Sequence, residues 1–272
     1  PGDSKAMVAA RTAFLNHGLY QPIADAVSAE VIEHSHAMES LSIADMGCGD
    51  GMFLKHLYEL ILTKTVRGKQ INKYPLKLIG ADINQRALDV AEKNLLKSNI
   101  ECKFLLADIS NPDLYKKDLR EKYDVEISNL LHVRSFLDHN RIYKKVKHNN
   151  DNSILTSTGA YSHRGKYLDS NDISSNLIYH FNQWKKHIIK HGIIILELHG
   201  LDTNLAQTNI SLTPTIAYEA THGYSDQYIL SLKDFLYAIR QIGISSDKKI
   251  SYKFPNNELA TVSINYFTIS SS

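Results

Sequence analysis

Short apolar runs alternate with amphipathic stretches along most of this sequence. The first run, Leu41 to Ala44, is flanked by polar residues and predicts a short buried strand. After three closely spaced glycines, apolar residues recur every three or four positions, which predicts a helix. The alternation of strand and helix then repeats, so the pattern predicts an α/β doubly wound sheet.

Seven strands are expected, most of them parallel. They are assigned to Leu41–Ala44, Leu76–Ala81, Cys102–Ala107, Tyr123–Ser128, Ile193–Leu198, Ile250–Phe254 and Val262–Ile269. The first 40 residues predict a cap of two helices, Lys5–Asn16 and Ile23–Ser35. Residues 41–272 would form the core, with insertions at about 142–168 and 201–230, the first of which predicts a small hairpin around Ser162–Gly165.

Composition limits the class of protein. The 272 residues are 43% hydrophobic, enough for a substantial core, and the net charge of +2 indicates no strong attraction to nucleic acid. Two cysteines give no disulfide framework, which favours a cytoplasmic location. No apolar run approaches the ~20 residues of a membrane span, so no membrane partner is expected. The chain begins with Pro1, which suggests a segment of a longer protein.

Acidic residues follow or precede a turn at three successive strand ends. Asp45 comes before the glycine turn, Asp82 ends the second strand, and Asp108 with Ile109 follows the third. Glycines let the backbone approach a ligand, and an acidic residue at a strand end can accept both ribose hydroxyls of an adenosine. The arrangement predicts a nucleotide site.

The form Asp-x-Gly-Cys-Gly-Asp-Gly resembles motif I of class I S-adenosylmethionine (SAM) methyltransferases. The resemblance implies a Rossmann-like fold and SAM as the cofactor. It also implies a set of cofactor contacts, namely Asp45, Gly47, Cys48, Gly49, Asp82, Ile83, Asp108, Ile109 and Asn129.

The second half resembles the metal-dependent C-methyltransferase domains of polyketide synthase loading modules. The blocks that carry this resemblance are Val133–Arg141, Glu197–His199 and Ala220–Tyr228. It implies methylation of the α-carbon of malonyl on acyl carrier protein, in polyketide biosynthesis beside other synthase domains. It further implies one Fe(II) or Mn(II) ion held by His222 and Gln227, with Asp226 as a further ligand or an orienting group.

A carbon nucleophile also requires a base. His132 and His199 follow the predicted fourth and fifth strands, on the side of the methyl group, and either could take the α-proton. Tyr224 is a further candidate in the acceptor pocket. Arg134 or Arg141 could pair with the malonyl carboxylate or form a structural salt bridge.

Other functions are compatible with the same cofactor motifs. One is a metal-independent O-methyltransferase acting on a polyketide hydroxyl, with His132 or His199 as base. Another is a non-catalytic SAM-binding module. Nucleic-acid methylation is disfavoured by the low net charge and by Leu130-Leu131 where an amino-methyltransferase would have a Pro-Pro-Tyr type motif. The basic stretches Lys64–Lys77 and Lys144–Lys147 fit an acidic carrier protein and RNA equally.

Overall fold

A mixed, mostly parallel sheet of eight strands forms the middle layer of the protein. The computed structural model describes residue 18 and residues 20–35, 40–146, 155–213, 215, 226–246 and 252–269. The sheet strands are β1 (Leu41–Met46), β2 (Leu76–Asp82), β3 (Cys102–Leu106), β4 (Leu131–Ser135), β7 (Ile193–Leu198), β8 (Ile244–Ser245), β9 (Tyr252–Phe254) and β10 (Val262–Ile269). A separate hairpin consists of β5 (Tyr161–His163) and β6 (Lys166–Leu168).

Helices cover both faces of the sheet. They are α1 (Gln21–Ser35), α2 (Met52–Lys64), α3 (Val66–Lys69), α4 (Gln85–Lys97), α5 (Pro112–Tyr123), α6 (Ser170–Lys185), α7 (Thr203–Thr208) and α8 (Leu232–Arg240), with 3₁₀ turns at Ile127–Asn129 and Asp138–Asn140. Polar caps define several of their starts. Asn84 accepts from the N–H of Arg86, and Asp169 forms a reciprocal capping box with Asp172.

The strand order β3-β2-β1-β4-β7-β10-β8 contains a reversal of direction beside β1. The chain builds outward from β1 to β3, then returns to place β4 on the other side of β1, and both neighbours are parallel to it. Ligands bind such sheets at the carboxyl ends of the strands, where the order reverses. The candidate site is therefore expected at the carboxyl ends of β1 and β4.

Two apolar clusters hold the layers together, one on each face of the sheet. The cluster on one face includes Trp184 and Phe181 of α6. The other includes Val31 of α1 and Leu57 of α2, packed beneath β1. No helix of the described residues is both long and apolar enough to cross a membrane.

The predicted fold class is confirmed, but the predicted fourth strand is wrong. Residues 123–128 end α5 and enter a 3₁₀ turn, and the strand is Leu131–Ser135. Asp124 stops the helix in a left-handed conformation (φ 53°), and the buried run that follows contains His132 and Arg134. His132 and Arg134 have specific hydrogen-bond partners inside the protein. Because buried strands are recognised from apolar residues, these two polar residues concealed the position of the strand.

Most other elements agree with the sequence. The small hairpin is confirmed, although its first strand begins only at Tyr161. The short edge strand β8 was not predicted, since two residues give no periodicity. The helix expected at Lys5–Asn16 lies outside the described residues.

Candidate active site

A turn rich in glycine closes the carboxyl end of β1. Gly47, Gly49 and Gly51 have φ angles of 77°, 54° and 77°, a region that residues with a Cβ avoid. The backbone N–H groups of Gly47 and Cys48 both donate to the carbonyl of Ala81, over 2.7 and 3.0 Å. The turn is therefore folded back against the end of β2.

Asp82, the last residue of β2, joins the glycine turn to the start of α4. Its Oδ2 accepts from the N–H of Gly49 at 3.1 Å, and its Oδ1 accepts from the N–H of Asn84 at 2.8 Å. A carboxylate has about four acceptor positions. Asp82 can thus also accept hydroxyl groups from a ligand lying across the turn, as the sequence predicts for the ribose.

Asp45 is a buried carboxylate at the same edge of the sheet. It is 2% exposed, and its Oδ1 has no hydrogen-bond partner among the residues that the structure describes. Burial, and then the charge of Asp82, raise the pKa of Asp45 well above its usual range. A cationic group beside this oxygen would favour the charged carboxylate. SAM carries an ammonium and a sulfonium, so this edge fits the cofactor.

Tyr20, just before α1, is a residue of this site that the sequence did not indicate. Its hydroxyl is hydrogen-bonded to Ser135, and its pKa is raised by burial and then by Asp45. Its ring lies 6.4 Å from that of Phe136, between centroids. The N-terminal cap thus reaches the ends of β1 and β4 through this tyrosine.

The remaining predicted cofactor residues divide into two groups. Ile83 is 68% exposed beside Asp82, and Asp108 is half-buried, so a ligand can reach both. Asp108 Oδ1 also accepts from the N–H of Ser110 at 2.7 Å. Cys48 and Ile109 are buried. Ile109 packs in the core, and its carbonyl accepts from Trp184 Nε1 at 2.7 Å.

Asn129 lies at the wrong edge of the sheet for the predicted cofactor contact. It precedes β4, so it is at the amino end of that strand, and its Oδ1 accepts from Lys190 Nζ at 2.8 Å. The cause is the displaced fourth strand. The predicted fourth strand ended at Ser128, so Asn129 was expected at its carboxyl end, whereas it lies before the amino end of β4.

His132 is misplaced by the same error. It is the second residue of β4, fully buried, and its Nε2 donates to the carbonyl of Ile127 at 3.0 Å. Its ring packs edge-on against Trp184. Burial, and then the positive charge of Arg134, lower its pKa to about 3. The predicted position of His132 beyond the strand is therefore wrong, and its surroundings are those of a core histidine.

His199 does follow a strand, as predicted, but it faces the interior. It is 1% exposed, its Nε2 lies 2.8 Å from Ser263 Oγ, and its ring packs against Phe235. Burial lowers its pKa to about 4. The surrounding contacts are those of a residue that joins β7 to β10 and α8.

Another histidine, His139, contacts the carboxylate of Glu197 at the carboxyl ends of β4 and β7. His139 Nδ1 lies 2.6 Å from Glu197 Oε1, and the backbone N–H of His139 donates to Oε2 at 3.1 Å. The N–H of Leu198 also donates to Oε1, at 2.7 Å. His139 is 6% and Glu197 2% exposed. Together they line a small cavity with Arg141 and Tyr228.

Neither residue of this pair has a role that could be assigned from the sequence. His139 lies in the Val133–Arg141 block, and Glu197 precedes His199 by two positions. They are 58 residues apart. The local signal was that each block includes the carboxyl end of a strand at the ligand edge.

Gln227, one of the two predicted metal ligands, lies next to this pair. Its Nε2 donates to Asn140 Oδ1 at 2.6 Å, which orients the amide. Asp226 accepts from the N–H of Arg164 at 3.1 Å, so it holds the β5–β6 hairpin. His222 and Tyr224 lie outside the described residues.

Arg134 and Arg141 form structural contacts. Arg134 Nη1 donates to Asp138 Oδ1 at 2.6 Å, with His180 Nε2 2.9 Å from the same oxygen, and all three residues are buried. The Arg134 charge, with the His180 hydrogen bond, lowers the pKa of Asp138 to about 2 in spite of burial. Arg141 binds Asn176 and two backbone carbonyls, and burial lowers its pKa to about 10.

One three-residue group of metal-ligand type occurs among the described residues, and it is remote from this site. Glu30, Glu33 and His34 of α1 bring their ligand atoms within 4.8 Å of one another. His34 and Glu30 form an ion pair at 3.3 Å, and the His34 ring stacks on Tyr266. This end of α1 lies a helix length away from Tyr20, at ~1.5 Å per residue.

The fold and the cofactor edge define a class I, Rossmann-like SAM-dependent methyltransferase. The plantazolicin methyltransferase BpumL, solved in complex with SAH, has a similar fold with a TM-score of 0.51. It is 14% identical, over 99% of this chain and 92% of BpumL. Comparison with curated sequences gives no match.

The profile of AprA MT2-like domains matches residues 12–265, so the chain belongs to this methyltransferase family. Other solved structures align more loosely. The mitomycin 7-O-methyltransferase MmcR has a TM-score of 0.48 at 8% identity, over 95% of this chain and 57% of its own length. The CurJ carbon methyltransferase has a TM-score of 0.47 at 10% identity, over 86% and 50%.

Proposed function

We propose that the chain methylates an acceptor that must first lose a proton, with His139 as the base and Glu197 as its partner. The main support is the 2.6 Å contact between His139 Nδ1 and Glu197 Oε1 at the ligand edge of the sheet. A carboxylate on Nδ1 selects the tautomer in which Nε2 is the basic nitrogen. It also stabilises the imidazolium that forms when Nε2 takes the proton.

The proposed reaction needs few protein groups. The acceptor gives its proton to His139 Nε2, and the resulting electron pair attacks the methyl carbon of SAM. The bond between carbon and sulfur breaks, its electron pair stays on sulfur, and SAH is the product. Since the sulfonium is already activated, the protein mainly aligns nucleophile, methyl group and sulfur. Tyr20, Asp45 and Asp82 are proposed to hold the cofactor in that alignment.

As the acceptor we propose the α-carbon of a malonyl group on acyl carrier protein. The support is the resemblance of the Val133–Arg141, Glu197–His199 and Ala220–Tyr228 blocks to carbon methyltransferase domains of polyketide synthases. The first two blocks supply His139 and Glu197. An α-carbon beside a thioester is weakly acidic, so its methylation calls for a base of this kind.

The carrier protein would approach the carboxyl edge of the sheet. The basic stretch of residues 64–75 precedes β2 and is therefore at the amino edge. It is a poor candidate for docking a carrier whose arm must reach His139. Lys144 and Lys145 come soon after the Asp138–Asn140 turn and are the better candidates.

A metal ion held by Gln227 and His222 remains part of the proposal. Gln227 fits in position, since Asn140 orients its amide next to His139. When bound, Fe(II) or Mn(II) would supply Lewis acidity that stabilises an enolate. The proton transfer proposed for His139 does not require it.

The alternative acceptor is a hydroxyl group, which would make the chain an O-methyltransferase. The observation that favours it is the contact between His139 and Glu197, because a histidine held by a carboxylate can act as general base towards a hydroxyl without a metal. A non-catalytic SAM-binding role is the third possibility. It is disfavoured because a histidine and a carboxylate are buried together at the reaction edge.

The test is intact-mass analysis of malonyl-loaded carrier protein incubated with SAM after chelation, with and without added Fe(II) or Mn(II). We expect a gain of one or two methyl masses, which His139→Gln abolishes while SAM still binds. If the mass of the carrier protein increases only when metal is added, and if Gln227→Ala abolishes that increase, the ion takes part in catalysis. Equal gain without metal would remove the ion from the mechanism.

Absence of any gain with malonyl, together with methylation of a hydroxyl-bearing analogue, would move the acceptor to oxygen. His199→Gln serves as the matched control, because it changes a buried histidine two residues beyond Glu197. Full activity of His139→Gln would refute the proposed base.

A further inference from the structure

The β5–β6 hairpin lies outside the main sheet but contacts the chain beside the proposed base. Tyr161 donates its hydroxyl hydrogen to the carbonyl of Ile229 at 2.7 Å. His163 Nδ1 lies 2.9 Å from the hydroxyl of Tyr228. The N–H of Arg164 donates to Asp226 at 3.1 Å. The hairpin is thus bonded along residues 226–229.

That segment in turn contacts the residues around His139. The N–H of Tyr228 donates to the carbonyl of His139 at 2.8 Å. Gln227 donates to Asn140 at 2.6 Å. A continuous series of hydrogen bonds therefore runs from His163, through residues 226–229, to the backbone that carries the proposed base.

The conformation of Asp226 needs support from these contacts. Its φ of 54° is in the left-handed region, which costs most residues with a side chain about 1–2 kcal/mol and Asp less. The Arg164 N–H and the His163 ring, 3.7 Å from its Oδ2, hold its carboxylate. Such local strain persists only where the surroundings fix it.

Tyr228 is the central residue of the series. It is 2% exposed, and its ring lies 5.6 Å from the Arg141 guanidinium and 5.8 Å from the Tyr143 ring. A buried tyrosine hydroxyl requires a hydrogen-bond partner. His163 supplies it, and the His163 ring also packs on Tyr143 at 5.1 Å.

We propose that His163 is a positioning residue: through Tyr228 and Asp226 it holds residues 226–229, and thereby the His139 backbone, in the arrangement required for methyl transfer. This inference rests on the proposed role of His139 as base. His163 does not touch the reacting atoms. A misplacement of about 1 Å caused by a mutation away from the chemistry can lower the rate ~100-fold.

The experiment removes the same hydrogen bond from either side. His163→Phe keeps a ring against Tyr143, and Tyr228→Phe keeps a ring near Arg141. Turnover on malonyl-loaded carrier protein, the KM for SAM and the unfolding midpoint are measured for each variant and for the double variant. Tyr167→Ala, at an exposed position of the same hairpin, is the control.

We expect each single variant to lower kcat ~10-fold or more with the KM for SAM unchanged, and the double variant to be no slower than the slower single one. Hydrogen exchange in the peptide containing residues 226–231 should accelerate in both variants and not in Tyr167→Ala. The inference would be overturned if kcat and hydrogen exchange were unchanged, or if the losses of kcat in the two single variants added up in the double variant. It would also be overturned if kcat fell only in proportion to the loss of stability.

Parallel assay of His139→Gln separates the two claims. If His139→Gln is inactive while His163→Phe is fully active, only the positioning role fails. If His139→Gln is fully active, the proposed base fails and the positioning inference fails with it. On a chain inactive towards malonyl, the exchange measurement decides whether His163 holds the segment.

Discussion

The two halves of the ligand edge are built differently. In the cofactor half, Asp45, the glycine turn and Asp82 belong to consecutive strand ends, and their bonds are between neighbouring strands. In the acceptor half, His139 meets Glu197 from 58 residues away, and Gln227 meets Asn140 from 87 residues away.

The halves also differ in what surrounds their polar groups. In the cofactor half, Asp45 has one oxygen without a hydrogen-bond partner among the described residues, and its charged neighbour is the like-charged Asp82. The acceptor half places opposite charges side by side, such as Arg134 with Asp138, although Arg134 Nε and Nη2 and Asp138 Oδ2 also have no hydrogen-bond partner among the described residues. A bound cation would therefore be stabilised more strongly in the first half, whereas the second half already has opposite charges beside each other.

The largest effect is expected on the methyl-transfer rate when the proposed catalytic pair in the acceptor half is changed. Glu197→Gln should lower the methyl-transfer rate by roughly 10²–10⁴-fold, the usual contribution of general acid–base catalysis. A neutral amide can no longer stabilise the imidazolium of His139. SAM affinity, measured by calorimetry, should stay within about twofold of wild type. If Glu197→Gln lowered the methyl-transfer rate and the SAM affinity by the same factor, the two halves would not have separate roles.

Next in size is the loss of the buried ion pair. Asp138→Asn should lower the free energy of unfolding by about 3–5 kcal/mol, because Arg134 would keep an uncompensated buried charge. Urea unfolding measures this. Glu121→Gln breaks an exposed ion pair with Lys117 and should cost less than about 1 kcal/mol. A similar small value for Asp138→Asn would contradict the structural role of the pair.

A smaller effect tests the cofactor half. A Cβ on Gly47 would lie 2.7 Å from Leu137 Cδ1, whereas a Cβ on Gly49 meets no atom within 4 Å. Both residues have positive φ, so Gly49→Ala should shift the free turn out of its binding conformation by about 1–2 kcal/mol and thereby weaken SAM binding about 5- to 30-fold. Gly47→Ala should weaken it further. Identical affinities for the two variants in calorimetry would rule out a role for the contact with Leu137.

The last effect depends on pH and is small near neutrality. Burial lowers the pKa of His132 to about 3 and of His199 to about 4, from 6.5. The unfolded chain therefore binds these protons first as the pH falls below ~6.5, and folded stability decreases. Each histidine should contribute a slope of about 1.4 kcal/mol per pH unit between pH ~6 and its folded value.

His132→Gln should remove one such contribution, seen in urea unfolding at pH 7.5, 6 and 5. Asp138, whose pKa is lowered to about 2, affects stability only below pH ~4 and does not interfere. An unchanged slope in His132→Gln would show that folding does not lower the pKa of this histidine.

Sequence reasoning succeeded where the relevant residues are local. Gly47, Gly49 and Asp82 follow their strands directly, and the class of protein follows from them. It failed at Asn129 and His132, since one misassigned strand moves a residue to the opposite edge of the sheet or into the core. It missed Tyr20, His139 and Glu197 because no short-range pattern pairs residues so far apart.

The sequence by itself determined the alternation of strands and helices, the glycine turn and the class of cofactor, since apolar periodicity and turn chemistry act over a few residues. Only the tertiary structure decided that His139 meets Glu197 at the ligand edge, whereas His132 and His199 pack against core aromatic residues. That choice depends on the order of strands in the sheet, which brings the ends of β4 and β7 together across nearly sixty residues of chain.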